Sequence, residues 1–136
     1  MKQIIIFALA TFAISNVQAQ KTYFSTSYTQ DCNWNETTLK YEDCQGNDQS
    51  TMFTLNADKS EFHHTTDNIS SAYYVTKYQY DKDYDVDEYD VKSDVGNTYV
   101  FFVDMKNNQI RIVGNNKSSG NKTYMKVYTI KKTWTE

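Results

Sequence analysis

The densest group of potentially reactive side chains is the run Asp81-Lys82-Asp83-Tyr84-Asp85-Val86-Asp87-Glu88-Tyr89-Asp90, followed by Asp94. Closely packed carboxylate oxygens are what a hard cation such as calcium takes as ligands. Asp83, Asp85 and Asp87 have the 1-3-5 spacing of a calcium loop, and Asp94 falls at its twelfth position. The match is fragmentary. Glu88 stands at the sixth position, where a glycine makes the turn, the twelfth residue is not the longer bidentate glutamate, and the flanks read as strands. The other reading is the solvated acidic face of a hairpin. Its apolar parity passes from Tyr84 and Val86 to Tyr89 and Val91, which places a bulge or turn near Asp87.

His63 and His64 are neighbours, and neighbours on a strand point to opposite faces, so they cannot share one metal without a bulge. Parity with Phe62 turns His64 inward and His63 outward. A nucleophilic mechanism needs a nucleophile, a base and an orienting group within reach. The sequence has no glycine-framed serine and no catalytic-cysteine context, so the chain reads as non-enzymatic. Paired carboxylates are the one catalytic arrangement that needs no motif.

The two cysteines, Cys32 and Cys44, are spaced far more widely than the two intervening residues of a redox motif or zinc knuckle. An even pair in an exported chain reads as a disulfide. Closing that loop removes unfolded-state freedom worth about 3 kcal/mol. Flat aromatic rings are the remaining binding chemistry, with 12 tyrosines, seven phenylalanines and two tryptophans in 136 residues. Trp34, between the cysteines, Trp134, near the end, and Tyr128 are the candidate ligand-binding residues, suited to a small molecule, a glycan or a partner protein. The alternative use of such rings is filling the core.

Charge is unevenly placed. The acidic run faces a basic final segment that holds Lys106, Arg111, Lys117, Lys122, Lys126, Lys131 and Lys132 against Glu136. The two blocks can balance each other across a sheet, or the basic hairpin can form an anionic-polymer surface with Tyr128 and Trp134. A formal net charge of −3 and an export signal argue against nucleic acid as a partner.

These groups must be positioned by strands. Runs of Tyr, Thr, Val, Phe and Ile recur about every ten residues, broken by Asn, Asp, Gly and Ser, and no proline occurs. The pattern predicts eight or nine strands, at 22–29, 36–42, 50–56, 60–66, 71–81, 85–93, 98–105, 109–114 and 122–134. Turns are predicted at 56–59, 94–97, 106–108 and 115–121. In the last strand Tyr124, Tyr128 and Ile130 share a face, as do Ile110 and Ile112 in the one before. Segment 98–105 is apolar on both faces, with Tyr99, Phe101 and Val103 opposing Val100 and Phe102, and predicts a strand at the heart of the core. The fold class is all-β: one antiparallel up-and-down barrel or a two-sheet sandwich.

Residues 1–19 read as a cleavable signal peptide. Lys2 is the charged start, Ile4 to Ile14 the apolar stretch, and Val17-Gln18-Ala19 the small-residue cleavage site. That stretch is shorter than the roughly 20 apolar residues that span a bilayer. Cleavage would leave Gln20 at the start of a single domain, 20–136, secreted or periplasmic and free of the membrane.

The opening Met-Lys-Gln-Ile-Ile-Ile followed by Val17-Gln18-Ala19-Gln20 resembles the export signals of small secreted proteins of Bacteroidetes-type bacteria. Residues Phe53-Thr54-Leu55-Asn56-Ala57-Asp58-Lys59-Ser60-Glu61-Phe62 resemble a hairpin of lipocalin-like proteins. That resemblance implies an up-and-down barrel with a cup and a small-molecule carrier. Asn33-Trp34-Asn35 departs from the family, which carries a glycine two places before the tryptophan.

Overall fold

A computed structural model describes residues 20–116 and 120–136. The expected signal peptide, 1–19, lies outside the described residues, as do residues 117–119. Eight antiparallel strands form one closed barrel in sequential order: β1 (Thr22–Asn35), β2 (Lys40–Leu55), β3 (Glu61–Thr65), β4 (Ser70–Asp81), β5 (Val86–Ser93), β6 (Thr98–Asp104), β7 (Gln109–Asn116) and β8 (Lys122–Thr135). Closure comes from β1 pairing with β8, from Thr22 opposite Thr135 to Asn33 opposite Tyr124. Closing the sheet removes the free edges that an open sheet leaves. None of the described residues forms a helix long and apolar enough to cross a membrane.

The turns fall where their residues demand. Asn56 accepts hydrogen bonds on Oδ1 from the backbone N–H groups of Ser60 and Glu61, at 2.9 and 3.0 Å, and so closes the β2–β3 turn with its own side chain. Gly96, at φ +89°, takes the left-handed position of the β5–β6 turn. Asn108, at φ +52°, does the same in the β6–β7 turn, where asparagine tolerates that conformation best among non-glycine residues.

Where nine strands were open to expectation, the two segments 36–42 and 50–56 are one strand. β2 runs unbroken through Asp43, Gly46, Asn47 and Asp48, all poor strand formers. Pairing overrides their propensity: β1 runs equally far, to Asn35, and Gln30 opposes Gly46 while Asp31 opposes Gln45. The disulfide Cys32–Cys44 ties the two strands at a Cα separation of 4.1 Å, beside a register shift between Asp31 and Asn33. A disulfide belongs to an oxidising, non-cytosolic compartment.

Inward parity divides the lumen into two levels. At one end Phe24, Leu55, Phe62, Tyr89, Val91, Phe101, Val103, Ile110 and Ile130 form a closed core. Phe62 sits edge-on to Tyr89 at 4.9 Å between centroids and tilted against Phe101 at 5.1 Å. Such pairs add about 0.5–1.5 kcal/mol each beyond the area they bury. Strand β6 contributes Phe101 and Val103 to this core as expected, but its opposite face is only half covered. Phe102 instead lies on the barrel's outside under the Arg111 guanidinium, at 5.4 Å, because a barrel wall has one solvent face.

Candidate functional site

At the other end, reached by the β1–β2, β3–β4, β5–β6 and β7–β8 connections, the same inward parity carries smaller and more polar residues. Thr29 and Thr51 continue the faces of Phe24 and Phe53, His64 that of Phe62, and Tyr99 that of Phe101. They line a cup of about 330 Å³ with Tyr73, Ile112, Tyr124 and Tyr128. Above it, between the ends of β1, β6, β7 and β8, lies a vestibule of about 700 Å³. Asp31, Tyr99, Tyr124 and Lys126 line both spaces and so form the neck between them.

The floor is built on Phe53. The His64 ring stacks on it at 4.2 Å with an interplanar angle of 4°, and Tyr128 meets both rings edge-on, at 4.9 and 5.3 Å. Burial, and secondarily the positive charge of Lys126, push the His64 pKa down to about 4. His64 is therefore neutral at physiological pH. Among the described residues its Nε2 has no hydrogen-bond partner, and neither does the hydroxyl of Thr29, a residue only 5% exposed. By contrast, the Thr26 hydroxyl one level deeper is bonded to the Thr51 hydroxyl at 2.7 Å. Burying an unpaired polar group costs about 1–3 kcal/mol, which is why most are paired.

The neck has its own geometry. Tyr124 shares a hydrogen bond with Tyr99; burial first, and then Tyr99, push its hydroxyl up to about 12, so it stays protonated. Gly114 makes room for this pair: a Cβ there would lie 2.7 Å from the Tyr99 ring and 2.9 Å from the Tyr124 hydroxyl oxygen. Lys126 Nζ stands 3.6 Å from Asp31 Oδ1, across the β1–β8 pair, with both side chains substantially exposed. Among the described residues these two are the only charged ones lining the cup.

Of the three aromatic residues singled out from sequence, Tyr128 alone lines the cup. Trp34 packs edge-on against Tyr41 at 5.0 Å on the extended β1–β2 hairpin, above the barrel. Trp134 lies at the far end, stacked on its cross-strand neighbour Tyr23 at 5.3 Å, with Lys132 over its ring. The structure therefore does not bring the three together. His63 points outward and pairs with Glu61 at 2.8 Å, on the side opposite His64, as alternation requires.

The calcium arrangement is also not formed. Asp83 and Asp85 sit in the β4–β5 turn, Asp87 near the start of β5, and Asp94 in the β5–β6 turn beyond its other end. The length of β5 separates the first and twelfth positions by roughly 25 Å. An extended strand occupies the place where a calcium loop must curl back on itself. Asp85 and Asp87 instead accept hydrogen bonds from the hydroxyls of Tyr80 and Tyr78, each at 2.5 Å. Among the described residues no three carboxylate, histidine or cysteine side chains gather as a metal site. The expected balance between acidic and basic blocks is likewise redistributed: Arg111 lies 3.6 Å from Asp104 and Lys126 pairs with Asp31, neither of them within 81–94.

The chain matches no protein-family model, and it is similar to no curated protein and to no solved structure.

Proposed function

We propose that this is a secreted, non-enzymatic binding domain that holds a small molecule in the open end of the barrel. The observation that carries this reading is the contrast within one lumen. The same strands that fill one end with phenylalanine and isoleucine leave, at the other, a cup of about 330 Å³ lined by threonine, histidine and tyrosine residues. That volume lies at the small end of the range for ligand pockets. The walls favour a ligand with both aromatic or apolar surface and hydrogen-bonding groups over a long acyl chain. Export is supported by the signal-like residues 1–19 and by the disulfide. Mass spectrometry of the released protein should find Gln20 at its start.

A fragment screen read by thermal shift tests the binding reading. Ligands that enter the cup raise the midpoint of the wild type, and the gain disappears in Gln49→Trp, which places a large ring over the mouth from an exposed position. Hits that stabilise both proteins equally would place binding elsewhere and refute the cup.

A second reading is supported by the β4–β5 hairpin, where Tyr78, Tyr80 and Tyr84 are exposed beside Asp85 and Asp87. Exposed tyrosines with acidic neighbours suit a basic protein partner. Capture of such a partner from culture supernatant, lost when Asp83, Asp85 and Asp87 are changed to Asn, is the expected result of that reading.

A further inference from the structure

Independently of what the cup holds, we infer that β2 takes up an extended basic peptide segment as an added strand, along its free edge at residues 44–49. The pairing of β2 is one-sided there. β3 covers β2 only from Met52, opposite Thr65, to Leu55, opposite Phe62. β2 nevertheless continues to Lys40, paired on its other side with β1. Residues 43–50 are all exposed, and among the described residues none of them has a backbone bond outside the β1 pair. Closure of the barrel thus stops at the level of Thr51. Above it, β2 presents a row of unpaired N–H and C=O groups, which is the template for strand addition. The row is held in place from behind: β1 is paired in turn with β8 as far as Asn33, and the Cys32–Cys44 disulfide joins β1 to β2.

Two bulges bound the segment. β1 advances from Thr26 to Tyr28 while β2 passes from Thr51 to Asp48, and from Asp31 to Asn33 while β2 passes from Gln45 to Glu42, so β2 carries an extra residue at each step. Between them 44–49 offers about 20 Å of edge, the length of a short peptide strand. Its side chains specify the partner. Tyr28, next to the inward Thr29, lies on the outer face opposite Asp48. Its hydroxyl end reaches over Gly46 and occupies the place that a Cβ of residue 46 would take. Tyr28 is 37% exposed, so its ring and the Asp48 carboxylate flank the position that faces Gly46. A lysine or arginine there lays its stem and charge against the ring and its head beside Asp48. Glu42 and Asp43 add two carboxylates to this stretch of β2, against Lys40. A second copy of the chain would bring the same carboxylates to the pair, and like charges across a strand pair destabilise it. The edge therefore suits a basic strand and resists its own.

Amide shifts and hydrogen exchange of the purified protein, with the peptide acetyl-Lys-Val-Lys-Val-Lys-Val-amide as probe, test this directly. Amides within 44–49 that exchange freely in the protein alone should become protected. Of two versions of the peptide methylated on alternate backbone nitrogens, the one whose N–H groups face β2 should lose at least about tenfold in affinity and the other should keep it. Asp48→Lys should weaken the peptide about threefold and improve binding of the Glu-Val counterpart. Tyr28→Ala should weaken it to a similar degree. Asp48 is exposed, so its substitution leaves the fold intact. Absence of protection at millimolar peptide, an equal response to both methylated versions, or equal affinity for the Glu-Val peptide overturns the inference. Shifts centred on Asp85 and Asp87 would place the peptide on the β4–β5 hairpin and overturn it as well. So would edge protection that grows with protein concentration alone, which would seat a second copy there.

Discussion

The two ends of the barrel are made by the same eight strands with the same inward parity, yet one is a core and the other a cup. At the closed end Phe53, Phe62 and Phe101 are fully buried and interlock. Two residues along β3 and β6 the corresponding positions are His64 and Tyr99, and across the lumen Thr29 and Thr51 replace large apolar side chains. The difference teaches that strand pairing sets which way a side chain points, while its size and polarity decide whether the space it faces is filled. It also separates residues held for stability from residues that cost stability.

That separation can be broken most forcefully at the closed end. Phe101→Ala should lose about 3–5 kcal/mol in urea denaturation, because it opens a cavity walled by Phe53, Phe62 and Tyr73. A loss below about 1 kcal/mol would mean that this end is not a packed core.

The pH dependence of stability probes the floor of the cup. His64 has a native pKa of about 4, below the ordinary histidine value of 6.5, so the unfolded chain binds the extra proton across that window. Stability therefore rises with pH between about 4 and 6.5, and the full contribution, about 3 kcal/mol, is present above 6.5 and lost as pH falls towards 4. Lys126 above and the protonated Tyr128 beside it are the titratable groups facing the ring. In His64→Phe the slope over this window should flatten. An unchanged slope would assign it to other groups.

Two threonines sharpen the contrast at smaller amplitude. Thr29→Val should be neutral or gain up to about 1 kcal/mol, because it removes a buried hydroxyl that has no partner. Thr26→Val should lose about 1 kcal/mol, because it strands the hydroxyl of Thr51. Chemical denaturation of the two variants side by side reads both signs, and equal losses would remove the distinction between core and cup.

The smallest effect belongs to the β4–β5 hairpin at the rim of the closed end. Asp87→Asn should leave stability within about 0.5 kcal/mol. It should also return the Tyr78 hydroxyl, held up at about 12 chiefly by its hydrogen bond to Asp87, towards the ordinary phenol value. Spectrophotometric titration of the tyrosines measures the change.

Much of the scaffold was readable in the residues. Alternation placed Phe101, Ile110, Ile112, Tyr128 and Ile130 on the inside and His64 opposite His63, because period two is a purely local property. Turn residues marked the ends of most strands for the same reason. The fusion of 36–42 and 50–56 was not readable, since Gly46 and Asp48 are strand only by virtue of their partners on β1. Closure into a barrel depends on β1 meeting β8, a pairing between the two ends of the domain.

The cup was less legible than the fold. Thr29, Tyr73, Tyr99, Tyr124 and Lys126 come from β1, β4, β6 and β8, and no spacing within one segment announces their convergence. A usable signal was nonetheless present: threonine at Thr29 and Thr51 and histidine at His64, on faces otherwise occupied by phenylalanine. The acidic run drew attention instead because its members are adjacent in sequence. Adjacency along an extended strand disperses side chains, so Asp83 and Asp94 end at opposite ends of the barrel.

Amide chemical-shift mapping during titration with a stabilising fragment tests the division of the lumen most directly. Shifts confined to Thr29, Asp31, Thr51, His64, Tyr99 and Lys126, with Phe62, Phe101 and Val103 unmoved, are the expected result. Shifts centred on the closed end, or on the β4–β5 hairpin with the cup residues silent, would contradict it.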